Sequence, residues 1–267
     1  MSAILESRLD TVADHLRESA AVKQRTIECC TMSILAAAEL IAESFRACGK
    51  LMLCGNGGSA ADCQHLAAEF TSRLSADFVR PGLPAIALTT DTSFLTAYAN
   101  DFDFDGVFAR QVQAIGKPGD VIIGISTSGR SKNVIRAFEM AKEMGVRRVA
   151  LTGGGGTKED GGSRMEDGEN ENGEPGGVSP RIRSLAGCAP TVGSATPPGP
   201  PFLRGGSDDD ESGRMPLLQY ADVAICVPSE NTQHIQEAHL AIEHIICHLV
   251  ERALFGEQQT TADGRAG

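Results

Sequence analysis

Five short apolar runs constrain this chain more than any other feature: "KLMLCG" (50–55), "PAIAL" (84–88), "DVIIGIS" (120–126), "RRVALT" (147–152) and "DVAICV" (222–227). Each is continuous rather than alternating, and each is bounded by turn chemistry. Between them lie helical patterns such as "SKNVIRAFEMAKEMG" (131–145), whose last residue is a glycine suited to ending a helix. Short, wholly apolar strands alternating with helices specify a parallel sheet covered on both faces. In open sheets of that kind ligands collect beyond the carboxyl ends of the strands. "CGNGGS" and "GISTSGRS" each stand at such an end.

The flanking regions read differently. From Ala3 to about Cys48 apolar residues recur at helical spacing (Leu5, Leu9, Val12 and Leu16, then Ile34, Leu35, Leu40 and Ile41), which predicts two helices over residues 1–49. The first is too polar to be fully buried and is expected to pack on another subunit. From Gly153 to Gly213 the chain holds roughly half of its 30 glycines and 12 prolines, with almost no apolar periodicity. Such a segment cannot offset its ordering entropy, so residues 157–215 are expected to be a disordered low-complexity insert between the fourth and fifth strands. The folded unit is then 50–156 with 216–256, and "EQQTTADGRAG" (257–267) is expected to be a flexible tail.

Composition removes several function classes. The apolar fraction of 41% is sufficient for a full core. A net charge of −11, no tryptophan and no Lys/Arg block argue against nucleic acid as a partner. No stretch is apolar for long enough to span a bilayer, and the charged N-terminus "MSAILESRLDTVADHL" is not a signal peptide. Cysteines such as Cys54, Cys63, Cys226 and Cys247 show no CxxC spacing and lie in apolar patterns, as in a reducing compartment. A cytoplasmic protein is expected.

Three motifs carry chemistry. In "GISTSGRSKN", Ser126, Thr127, Ser128 and Ser131 place hydroxyls around a turn that opens a helix. Hydroxyls and amides at a helix N-terminus suit a single phosphate monoester. The plainer reading is a serine-rich capped turn. No G-K-[ST] or dinucleotide fingerprint is present. "CGNGGS" is a second glycine turn, in which Gly57 and Gly58 would permit positive φ and close approach of backbone to a ligand. On the helix that follows, His65 and Glu69 are four residues apart and share a face, as two metal ligands or as an ordinary surface pair. The C-terminal stretch "NTQHIQEAHLAIEHIICHLVERALF" packs through Ile235, Leu240, Ile242, Ile245, Ile246, Leu249 and Val250, leaving His234, His239, His244 and His248 mostly to solvent. Gln236 and His244 are two turns apart, roughly 12 Å of axial rise, so one metal joins them only at a junction of helices or subunits.

Taken together, "CGNGGSAADCQHLAAEF", "PAIALTTDTSFLTAYANDF", "GDVIIGISTSGRSKNVI" and "IQEAHLAIEHI" resemble the phosphoheptose isomerase (sedoheptulose-7-phosphate isomerase) family of sugar isomerase (SIS) domains. The resemblance implies a three-layer α/β/α sandwich around a five-stranded parallel sheet, assembled as a homotetramer with sites between subunits. It implies a substrate site of Asn56, Gly57, Gly58, Glu69, Asn100, Asp101, Ser126, Thr127, Ser128, Ser131 and Gln236, holding a sugar phosphate. One zinc per subunit would fall on His65, Glu69, Gln236 and His244, with Glu69 and His244 as the acid/base pair. The implied reaction converts D-sedoheptulose 7-phosphate to D-glycero-D-manno-heptose 7-phosphate. The competing reading is a non-catalytic SIS protein that binds a protein partner such as a replication initiator. Relatives of that kind lose histidines at the metal positions, whereas this chain keeps His65 and His244.

Overall fold

The computed structural model of the protein describes residues 3–154 and 215–263, with side chains over 4–154 and 215–256. Apart from Met215, the insert expected over 157–215 lies outside the described residues. In chain order the elements are α1 (Ala3–Arg46), β1 (Leu51–Gly55), α2 (Gly58–Thr71), β2 (Ala85–Ala87), α3 (Thr92–Asp101), α4 (Val107–Ile115), β3 (Val121–Ser126), α5 (Lys132–Glu143), β4 (Arg147–Gly153), a 3-10 turn (Pro216–Tyr220), β5 (Val223–Val227) and α6 (Thr232–Asp263). All five apolar runs form strands, and every pairing is parallel in the order β2-β1-β3-β4-β5.

Burial explains why those runs are unbroken. Leu51 and Leu53 of β1, with Ile123, Ile125, Val149, Leu151, Ile225 and Val227, face a layer formed by α1, α2 and α6. Met52, Cys54, Ile122 and Ala150 face the opposite layer, where Phe108 and Val112 of α4 and Val134 and Phe138 of α5 close the second core. Both faces of β1 and β3 are therefore dry, while the edge strands β2 and β5 are partly exposed, and each fully buried large side chain contributes about 1.5–3 kcal/mol. The result is the expected three-layer sandwich. α5 ends as the sequence predicts, with Gly145 at φ 69° just past the helix.

Three expectations need correction. The N-terminal region is one 44-residue helix, not two, because no glycine or proline interrupts 3–46. Its second half buries one face, through Val22, Cys30, Ile34, Ala37, Ile41 and Phe45, while Leu9, Val12 and Leu16 in the first half are more than half exposed. α6 runs on to Asp263, so the start of the expected tail is helical; "EQQTTAD" contains no breaker. On α6, His234 and His239 are buried, not solvated, and Leu240 and Ile245 are partly exposed rather than core-facing.

His239 joins α6 to the sheet. Its Nε2 lies 3.0 Å from the carbonyl oxygen of Thr152 on β4, so Nε2 carries the proton; its Nδ1 is buried without a partner. Burial disfavours the imidazolium and pushes the His239 pKa down to about 4, against a smaller opposing effect of the bond to Thr152. Between that value and the ordinary 6.5, the unfolded chain binds a proton that the folded chain refuses. Stability from this site is thus complete above pH 6.5 and is lost as pH falls toward 4, by about 1.4 kcal/mol per pH unit. His239→Gln, which keeps an N–H donor for Thr152, is expected to flatten that slope in urea unfolding measured between pH 6.5 and 5. An unchanged slope would assign it to other groups.

Candidate active site

The order β2-β1-β3 places the chain's direction switch between β1 and β3, where adjacent strands send their connections to opposite sides. Gly55 pairs with Ile125 there, so the "CGNGGS" and "STSGRS" turns leave neighbouring strand ends at the same sheet edge. The two are stitched together. The amides of Asn56 and Asn133 exchange two hydrogen bonds, Nδ2 of each donating to Oδ1 of the other at 2.9 and 2.8 Å. Asn133, on the first turn of α5 and almost fully buried, is a site residue that sequence reading missed. The signal was available: it follows the serine turn directly on the same helix terminus.

The serine turn is built for an anion. Gly129 takes φ 65°, and its N–H donates to the carbonyl of Ser126 at 3.0 Å, closing the turn. Ser126 and Ser131 share a hydrogen bond between hydroxyls at 2.9 Å. Ser131 stands at the N-cap of α5 yet makes no side-chain cap. The positive end of α5 is therefore left available to a ligand rather than satisfied by its own capping residue. Ser128 is exposed at the rim, accepting from Arg130 N at 3.3 Å, and Thr127 is half-buried. Asn100 and Asp101 end α3 at the surface, with Asn100 Nδ2 donating to Asp101 Oδ1 at 2.9 Å.

In the other glycine turn, Gly57 alone takes positive φ, at 57°. Gly58 does not, contrary to the sequence reading, and its requirement is space. A Cβ there would lie 2.6 Å from Oε1 and 2.7 Å from Cδ of Gln236. The missing side chain lets α6 lay the Gln236 amide across the start of α2. Nε2 of that amide donates to Asp62 Oδ2 at 3.1 Å, which fixes its orientation.

Further along the same two helices, His65, Glu69 and His244 each bring a ligating atom within 4.8 Å of the others. His65 Nε2 faces His244 Nε2 at 2.8 Å and Glu69 Oε1 at 3.7 Å. Two imidazole nitrogens that close cannot both carry a proton, so at least one lone pair points into the cluster. Glu69 Oε2 is buried without a hydrogen-bond partner. Two ring nitrogens and an unsatisfied carboxylate oxygen converging on one point are a donor set that fits a divalent ion of the zinc type. Of the four expected ligands, the structure brings these three together, while the one hydrogen bond described for Gln236 goes to Asp62.

Two acidic groups here were not anticipated. Asp62 lies one turn before His65, and burial raises its pKa against the opposing effects of Gln236 and His65. Glu243 is fully buried with both oxygens unpartnered; burial, and then the charge of Asp62, push its pKa up to about 9. Asp62 was legible from its i, i+3 spacing to His65. Glu243 was hidden in the apolar run of α6.

The SIS domain family profile matches residues 14–153. Phosphoheptose isomerase of Roseiflexus sp. (strain RS-1) is 42% identical over 92% of this chain and 94% of its own. That of Thermodesulfovibrio yellowstonii is 37% identical over 92% of each. This chain belongs to the phosphoheptose isomerase family of SIS domains. The solved phosphoheptose isomerase of Neisseria gonorrhoeae superposes with a TM-score of 0.64 at 34% identity, over 91% of this chain and 97% of that one. That of Francisella tularensis gives 0.66 at 27% identity, over 92% and 98%. The fold is the SIS fold.

A substitution at Gly58 separates fold from site in this family member. Gly58→Ala meets only the flexible end of Gln236 among the nearest atoms, so the melting temperature is expected to stay within a few degrees of wild type. Displacing the amide should lower isomerase turnover about tenfold. Full turnover with a displaced Gln236 would remove that side chain from the site.

Proposed function

We propose that this protein converts D-sedoheptulose 7-phosphate to D-glycero-D-manno-heptose 7-phosphate, with one zinc ion per subunit. As a member of its family it is a sugar-phosphate isomerase. The observation that carries the finer reading is the convergence of His65, Glu69 and His244 between α2 and α6, with α2 opening from the strand end that neighbours the serine turn.

The phosphate is held by Ser126, Thr127, Ser128 and Ser131 and by the first N–H groups of α5. That anchors the far end of an open-chain sugar, and remote binding energy of this kind orients the reacting carbons. Asn56, Gly57 and Gly58 of the first turn, with Asn100, Asp101 and Gln236, line the path of the chain. His65, Glu69, Gln236 and His244 hold the zinc. When bound, the ion supplies a Lewis acid for the carbonyl and hydroxyl oxygens of adjacent carbons. Glu69 and His244 are the proton carriers, one acting on carbon and the other on oxygen, through an enediol-like intermediate. A carboxylate and an imidazole serve this exchange because each is both a ligand and a base near neutral pH.

The reading includes a homotetramer in the cytoplasm. It is supported by a cavity of about 520 Å³ between α1 and α6, lined by apolar groups including Ile27, Ile34, Leu35, Ile245 and Leu249. It is also supported by the exposed apolar residues along the first half of α1. No helix among the described residues is long and apolar enough to cross a membrane. Light scattering on the purified chain is expected to give the mass of four copies; a monomer would refute this part of the reading.

Catalysis is tested directly with sedoheptulose 7-phosphate. Glu69→Gln and His244→Gln are each expected to lower turnover by about 10²–10⁴-fold while leaving the fold intact. Treatment with a chelator should abolish activity, and zinc should restore it. Near wild-type turnover in either variant would sink the acid/base assignment.

A further inference from the structure

Beyond the site itself, the distance between its two helices has to be set. His65 and Glu69 stand on α2 and His244 on α6, and a buried contact ties the end of α2 to the middle of α6. Arg80, in the connection from α2 to β2, has a side chain with no solvent exposure. Its Nη2 donates to the backbone carbonyl of Glu69 at 2.7 Å, and its Nη1 donates to the carbonyl of Phe70 at 2.7 Å. Its Nε donates to Glu251 Oε1 on α6 at 2.6 Å, seven residues beyond His244. Glu251 is as deeply buried as Arg80.

We propose that Arg80 and Glu251 are positioning residues that fix the spacing of Glu69 and His244. This rests on the reading of His65, Glu69 and His244 as the metal and proton-transfer cluster. The guanidinium satisfies two of the last carbonyls of α2, one of them belonging to Glu69, and places positive charge at the negative end of that helix. Its remaining edge is committed to Glu251, whose position along α6 is two turns from His244. A planar fork with fixed donor directions is the side chain suited to hold a backbone and a carboxylate at once. Lysine carries the same charge on a flexible stem and cannot hold all three partners in that geometry. The pair lies at the far end of the cluster and touches no substrate group in the mechanism above. Its effect reaches the reaction only through where it holds Glu69 and His244.

The test must separate position from stability. Losing one partner of a buried ion pair destabilises any fold, whereas replacing both by apolar groups is often neutral or stabilising. Arg80→Met/Glu251→Leu is therefore compared with wild type and with Arg80→Lys in three measurements: thermal unfolding, cobalt(II) affinity from visible absorption of the metal-substituted protein, and kcat and KM for sedoheptulose 7-phosphate. The double variant removes both buried charges but leaves the Glu69 carbonyl without its donor, so it is expected to stay folded and to melt within several degrees of wild type, yet to bind cobalt about 10–100-fold more weakly. Its kcat should fall by a similar factor, with KM within about twofold. Arg80→Lys is expected to fold and to show the same losses in smaller measure.

A double variant with wild-type cobalt affinity and kcat overturns the proposal and leaves the pair a purely structural one. If the double variant does not fold, a folded Arg80→Lys with unchanged cobalt affinity and kcat does the same. A wild type that binds no cobalt overturns it as well. A wild type that binds cobalt but does not turn over the heptulose phosphate refutes the proposed reaction alone, and the cobalt measurements still decide the role of Arg80.

Discussion

The packing of α2 and α6 side by side on one face of the sheet is the constraint on which the rest depends. Leu66 and Phe70 of α2 and Ile242, Ile246 and Val250 of α6 belong to one buried cluster with the strands beneath. Their burial turns the opposite edges of the two helices toward each other, and those edges carry Asp62, His65 and Glu69 on one side and Gln236 and His244 on the other. The polar contacts are a consequence of apolar packing. No carboxylate would be held next to two imidazoles and a second acid unless a larger hydrophobic term fixed the helices first.

The sheet solves a different problem. A sugar phosphate has a charged end and a reactive end, and one helix terminus cannot serve both. Because β1 and β3 are neighbours at the direction switch, two turns of unlike chemistry emerge beside each other. The turn after β3 offers hydroxyls and an uncapped helix end; the turn after β1 leads into the helix that carries His65 and Glu69. The Asn56–Asn133 amide pair sets their separation. A complementary pair of amides does this without fixed charge, and Asn133 Oδ1 also accepts from Val134 N at 3.0 Å on the first turn of α5.

Much of this was legible in the sequence because periodicity and turn chemistry are local. The five strands, the glycine C-cap of α5 and the two ligand-side turns all came from windows of a few residues. What failed to show had non-local causes. The predicted break in α1 is absent because without a glycine or proline the backbone has no reason to stop. Gly58 was assigned a conformational role, whereas its absent side chain makes room for a residue 178 positions later. His239 and Glu243 are polar side chains within a helix whose apolar face was counted correctly in part; burial of the polar ones depends on which helices flank it, information that spacing does not contain.

The histidines of α6 show how one helix divides its chemistry. His239, turned inward, meets a strand carbonyl and is held neutral by burial. His244 lies five residues on, half-exposed, on the edge that faces α2, and meets His65 and Glu69. An advance of five residues rotates a side chain by about 500°, or 140° beyond a full turn, enough to pass from the sheet-facing side to the α2-facing edge. The same imidazole is thus a fixed hydrogen-bond donor in one place and, in the function proposed above, a ligand or proton carrier in the other. What separates the two roles is solvent access and the neighbour supplied by packing. An inward histidine whose proton is committed to a carbonyl cannot exchange it during turnover, while one at a partly open helix seam can. That is the physical reason for assigning chemistry to His244 and structure to His239.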